Sequence, residues 1–181
     1  QDWFTHHKGI NNGHYLRLNN HNQQGGDTNV YPNNMAATNT FGIGGDDGVN
    51  GNGSTYVAYV WTDIPGYSAF GRYKGNGQSN GRIIYTGFRP AMVMLKQYDG
   101  INENWSISDN TRSPFNPVNL FLRPDETTQD TSGAAQMDFL SDGFRLRNSD
   151  DKSNRNGSNY VYMAWAEQTY NPTYYSDPNA R

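Results

Sequence analysis

Asn52-Gly-Ser-Thr-Tyr-Val-Ala-Tyr-Val-Trp61-Thr-Asp63 is written a second time, 104 positions on, as Asn156-Gly-Ser-Asn-Tyr-Val-Tyr-Met-Ala-Trp165-Ala-Glu167. Each copy reads as a turn followed by a strand. At a period of two, Val57, Tyr59 and Trp61 share one face and Val161, Met163 and Trp165 its equivalent. Tyr56, Ala58 and Val60 share the other face with Tyr160, Tyr162 and Ala164. Both faces are largely apolar, which predicts a strand in the middle of a sheet, covered on both sides. The Asn-Gly ahead of it supplies the positive φ of a tight entry.

With that register set, residues upstream fall into line. Asp46-Asp47 aligns with Asp150-Asp151, Asn50 with Asn154, and Leu16 and Leu18 with Leu120 and Leu122; Trp3 meets Trp105 after a two-residue slip. The period is too long for a solenoid, whose units run about 20 to 50 residues. It is close to the roughly 100 residues of one β-sandwich domain, so the repeating unit is a domain. Residues 64–102 have no counterpart before Gln1. The expected organisation is therefore all-β, in tandem antiparallel β-sandwich (jelly-roll-like) units of about 100 residues, the first incomplete. Residues 1–63 are the C-terminal half of a first repeat, 64–168 a complete second repeat, and 169–181 an extended tail.

Composition narrows the chemistry. The 181 residues contain no cysteine, which removes disulfides, thiolate metal sites and a cysteine nucleophile. A net charge of −3 and a pI near 5.7, with no basic run, argue against nucleic acid as a partner. Mean hydropathy is −0.93 although only 17% of residues are charged, so the polarity comes from uncharged residues, among them 24 Asn and 20 Gly. Disordered chains lack aromatics, whereas this one has 14% aromatics in strand-like pulses, so Asn and Gly are read as turn chemistry. No apolar run approaches the ~20 residues of a membrane helix, and no signal-peptide pattern opens the sequence.

Apolar pulses follow one another at residues 3–6, 15–18, 41–43, 67–73, 82–86, 91–95, 104–108, 119–122, 137–140, 144–147 and 160–167, with Gly, Pro, Asn or Asp in nearly every gap. Ser141-Asp142-Gly143 is expected to turn a hairpin, with Asp-Gly as its positive-φ pair. The best helical candidate, Ser132–Met137, is too short and Gly-rich to stand alone.

Candidate sites are few. Asp46-Asp47 and Asp150-Asp151 put carboxylate and amide oxygens on a turn, the chemistry of a Ca²⁺ site, but no bidentate Glu stands at EF-hand spacing. An Asx turn capping a hairpin is the favoured reading, with calcium as the alternative and no other cofactor. His6, His7, His14 and His21 crowd the first 21 residues, and alternation places His6 and His7 on opposite faces, against a shared metal. They are the expected pH-sensitive groups. Carboxylate pairs at Asp99 and Glu103, Asp125 and Glu126, and Asp63 and Glu167 are candidates for glycosidase chemistry that no further feature supports, so no catalytic residue is assigned. Tyr160 and Tyr162 are assigned to core; Tyr170, Tyr174 and Tyr175 are assigned to a contact surface suited to polar partners such as glycans. Sequons at Asn52, Asn104 and Asn156 are best explained, at the first and last, by the geometry of the repeated turn.

Several longer strings carry a resemblance. Ile64-Pro-Gly-Tyr-Ser-Ala-Phe-Gly-Arg-Tyr-Lys-Gly-Asn-Gly77, Tyr85-Thr-Gly-Phe-Arg-Pro-Ala91 running into Met92-Val-Met-Leu-Lys96, Asn104-Trp105, Asp138 through Arg147, and Tyr160 through Glu167 together resemble a domain of large virion proteins of marine tailed bacteriophages. The closing Asn179-Ala-Arg181 also looks like the end of those proteins, while Trp61-Thr-Asp63 departs from the family's tendency to Phe-Ala-Glu. The resemblance implies a non-enzymatic virion structural protein, tail fibre or appendage, carrying tandem copies of the domain. Its expected partners are further copies of itself, other virion proteins and a bacterial surface glycan, with no membrane insertion. A capsid-decoration or filament subunit completed by strands from neighbours is the alternative, and a polysaccharide depolymerase a weaker one.

Overall fold

The computed structural model describes residues 2–34 and 40–167. In chain order the elements are β1 (Phe4–Thr5), β2 (His14–Arg17), β3 (Gly25–Gly26), one helical turn α1 (Asp47–Asn50), β4 (Ser68–Lys74), β5 (Ile83–Tyr85) and β6 (Pro90–Gln97). They continue with β7 (Ser106–Asp109), β8 (Val118–Phe121), β9 (Thr131–Leu140), β10 (Gly143–Leu146) and β11 (Asn159–Ala166). The protein is all-β, and every strand pairing is antiparallel. Ser132–Met137, the best helical candidate, lies within β9. The pulse at 41–43 builds no strand among the described residues.

Residues 64–167 form two four-stranded sheets, ordered β4-β11-β6-β7 and β5-β10-β9-β8. The first and last of these eight strands pair, β4 with β11, and so do the second and the seventh, β5 with β10. That nesting brings sequence-distant ends together, while β8, β9 and β10 run in succession as a meander. The facing sides of the two sheets enclose a core that includes Val93, Leu95, Phe139, Phe144, Tyr160 and Ala164. Each large apolar side chain among them contributes about 1.5–3 kcal/mol on leaving water. Tyr73 and Tyr160 stack inside the core with centroids 5.0 Å apart and ring planes 8° from parallel.

β11 is central because its residues are apolar on both faces. Tyr160, Tyr162 and Ala164 face the sandwich core, whereas Val161 and Met163 face a second cluster with Ile10, Leu16, Met94 and Trp105. The cover on that outer side comes from the N-terminal residues. β1, β2 and β3 form a small sheet of their own, with Leu16 wholly buried in the second cluster. Trp105 Nε1 donates to the Arg17 carbonyl at 2.9 Å, and Gln24 N–H donates to the Tyr98 carbonyl at 3.0 Å, tying this segment to the sandwich.

The hairpin at Ser141–Gly143 forms as expected, with Gly143 paired to Leu140. Its glycine is needed for a different reason, since Gly143 is absent from the positive-φ glycines. A Cβ there would stand 2.1 Å from the Ile84 carbonyl oxygen, so close passage of β5 demands the missing side chain.

Candidate functional site

The repeated turn is reproduced almost atom for atom. Asp46 Oδ1 accepts the Gly48 N–H at 2.7 Å, and Asp150 Oδ1 accepts the Lys152 N–H at 2.8 Å. Asn50 Nδ2 donates to the carbonyl six residues before it, Gly44, at 2.9 Å, as Asn154 Nδ2 does to Asn148 at 2.7 Å. The Tyr56 hydroxyl donates to the Asp47 carbonyl and accepts the Gly51 N–H, at 2.6 and 2.8 Å. Tyr160 makes the same pair with Asp151 and Arg155, at 2.6 and 2.9 Å. Gly53 and Gly157 both take positive φ, 76° and 85°. These are Asx turns locked by a tyrosine, in which Asp46 and Asp150 act through their carboxylates and Asp47 and Asp151 through their backbone carbonyls. Among the described residues no group of three or more His, Asp or Glu could hold a metal ion.

Beyond the two turns the chain behaves in opposite ways. After the second, β11 is hydrogen-bonded on both edges, to β4 and to β6. After the first, residues 55–61 make no backbone hydrogen bond among the described residues. Val161 is fully buried, whereas its equivalent Val57 is 69% exposed; Tyr59 and Trp61 stand 65% and 57% exposed. The expectation of a buried mid-sheet strand therefore holds for 160–167 and fails for 56–63. The residue pattern is the same, but among the described residues no flanking strand pairs with the first copy.

The open stretch is nevertheless held in place. Asp63 forms an ion pair with Lys8 and accepts the Phe70 N–H at 2.8 Å, and the Thr62 carbonyl accepts from Ser68 Oγ at 2.7 Å. Against the opposing pull of partial desolvation, the bonds from Lys8 and Phe70 depress the Asp63 carboxyl below its ordinary range. Tyr59 stacks on Trp3 and on Trp61, with centroids 6.4 and 6.1 Å away, and Trp61 meets the edge of Trp165 at 6.5 Å. The face carrying Val57, Tyr59 and Trp61 is thus partly propped by the sandwich. Val60, on the opposite face, is 69% exposed.

Four of the other candidate carboxylates have structural partners. Glu167 pairs with Arg89 at 2.7 Å, and Asp99 accepts from the backbone and side chain of Asn159 at 2.9 and 2.6 Å. Asp125 and Glu126 both accept from Asn104 Nδ2, at 3.0 and 2.9 Å, and Arg123 holds Glu126 at 2.8 Å. Tyr170, Tyr174 and Tyr175 lie outside the described residues. Tyr160 and Tyr162 are core, as expected.

The burial of two titratable groups was not foreseen from the sequence. Lys96, at the end of an apolar pulse, is fully buried, with its ammonium donating to the carbonyls of His21, Gln97 and Glu103 at 3.2, 2.7 and 2.7 Å. Burial pulls it down to about 8, although Asp125 and Glu103 favour the charged form. The available signal was its place within a strand apolar on both faces. His7 is the other: Nδ1 accepts the Gly9 N–H at 2.9 Å, so the proton sits on Nε2 and is donated to the Tyr162 carbonyl at 3.1 Å.

That arrangement needs a neutral ring. Desolvation lowers His7 to about 4, against the favourable hydrogen bond to Tyr162. The native state therefore resists a proton that the unfolded chain accepts below about 6.5. Stability conferred by His7 is fully present above pH 6.5 and is lost as pH falls towards 4, by roughly 3 kcal/mol in all. An NMR titration of the imidazole resonances should place the His7 midpoint near 4; a midpoint near 6.5 would refute the buried, neutral assignment.

Comparison with known proteins adds one match. No curated protein and no solved structure matches the chain. Residues 1–169 match the domain of unknown function DUF7483, and the chain belongs to that family.

Proposed function

We propose that the chain is a non-enzymatic structural component of a virion, of tail-fibre or appendage type, assembled from tandem repeats of one β-sandwich unit. One observation carries this reading: the same turn leads into a paired strand inside a sandwich at 160–167 and into an exposed stretch of the same apolar pattern at 56–63. A repeat that ends in an open strand is suited to joining units end to end. The resemblance of Ile64–Gly77 and its companion strings to phage virion proteins supplies the setting. Host-surface recognition, in this reading, belongs to loops that the assembled array turns outward.

The test is mass spectrometry of gradient-purified phage particles whose genome encodes the chain. Peptides from residues 1–167 should co-sediment with intact tails in stoichiometric amount. Their confinement to the unassembled lysate would overturn the proposal.

A further inference from the structure

We propose that residues 56–63 are an acceptor strand, and that its occupant is a strand of the β6 type contributed by an incomplete repeat of the same family. The proposal rests on the repeat-assembly reading above and names the partner and register it requires. The guide is the molecule's own finished copy. There β11 runs antiparallel to β6 with Tyr160 opposite Gln97, Tyr162 opposite Leu95, Ala164 opposite Val93 and Trp165 opposite Met92. Moved to the first copy, the same register sets Tyr56, Ala58, Val60 and Trp61 against the residues equivalent to Gln97, Leu95, Val93 and Met92.

Three further features favour this occupant. The turn that aims β11 is rebuilt at 46–56, and Asp63 and Thr62 are tethered at the far end, so the acceptor is laid out with both ends held. Little ordering cost then remains for a strand that docks along it. Asp63 occupies the position of Glu167, whose carboxylate meets Arg89 in the residue before β6. An Arg-Pro-led apolar strand would bring an arginine to Asp63 in the same way. Finally, a second folded copy of this chain cannot offer the strand, because its β6 is already paired on both edges, with β11 and β7. The donor must be a β6-type strand that lacks its own β11 partner.

The absence of cysteine allows a direct test on the full chain. The probe is a synthetic peptide of Phe88-Arg-Pro-Ala-Met-Val-Met-Leu-Lys-Gln-Tyr98, titrated while tryptophan emission is recorded. Saturable binding with a blue shift is expected as Trp61 leaves water. The exposed Val60→Cys variant should form a disulfide with peptide carrying Val93→Cys, about tenfold faster than Val57→Cys does, because only the former pair stands directly opposite. Circular dichroism of both variants should match that of the parent.

The proposal is overturned by absence of saturable binding, or by equal trapping at the two positions. It is also overturned if Val60→Cys links mainly to a second copy and the peptide does not compete, which would make the occupant another molecule of this chain. Peptide capture does not depend on where the chain resides, so it and the particle experiment can each fail alone.

Discussion

Replacing Trp105 by alanine should destabilise the protein by about 4 to 5 kcal/mol, with urea unfolding showing a lower midpoint at an unchanged slope. The side chain is completely buried and packs in the outer cluster with Leu16, Met94 and Val161, so its removal opens a large cavity. It also leaves the Arg17 carbonyl without the indole N–H it accepts at 2.9 Å. Because Trp105 joins the sandwich to the N-terminal sheet, loss should be felt first there. Limited proteolysis of Trp105→Ala should cut within residues 2–34 before the sandwich is attacked. A loss below about 1 kcal/mol would show that the N-terminal segment is not held by this cluster.

The second large effect lies in the repeated turn. Asn154 is fully buried; its Nδ2 contacts Asn76 Oδ1, the Gln78 carbonyl and the Asn148 carbonyl at 3.0, 2.8 and 2.7 Å, and its Oδ1 accepts the Asn76 N–H at 2.9 Å. Asn154→Ala removes two N–H donors and one acceptor from a buried position, and should cost about 3 kcal/mol, at about 1 kcal/mol per bond. Its equivalent Asn50 is exposed and makes the shared bond to Gly44. Asn50→Ala should therefore cost only about 0.5 to 1 kcal/mol, since water replaces the lost partner. Paired denaturation curves of the two variants measure burial with chemistry held constant. Equal losses would mean that the turn, rather than its burial, sets the cost.

Much of this architecture was legible because it arises from local chemistry. The 104-residue register, found in Asn52–Asp63 and Asn156–Glu167, extends to the individual hydrogen bonds of Asp46 and Asp150 and of Tyr56 and Tyr160. Asx turns and positive-φ glycines are properties of a few adjacent residues, so recurrence of those residues reproduces the geometry. The alternating and doubly apolar pulses likewise placed β4 through β11 within a residue or two, apart from the start of β9. Where the reading erred, a distant neighbour had decided the matter. Gly143 is present to admit the backbone of β5, and Lys96 is buried because His21 and Glu103 bring carbonyls to it. Neither partner can be inferred from the residues around Gly143 or Lys96.

The candidate site divides along the same line. By itself the sequence determined that residues 56–63 and 160–167 carry the same pattern, apolar on both faces and entered through the same turn, since side-chain alternation and turn chemistry are carried by the residues themselves. Only the tertiary structure decided that β4, β6, the opposing sheet and the N-terminal segment converge on the second copy and leave the first open. Burial is a property of neighbours: an apolar pattern states which faces favour leaving water, and the path of the chain determines which of them do.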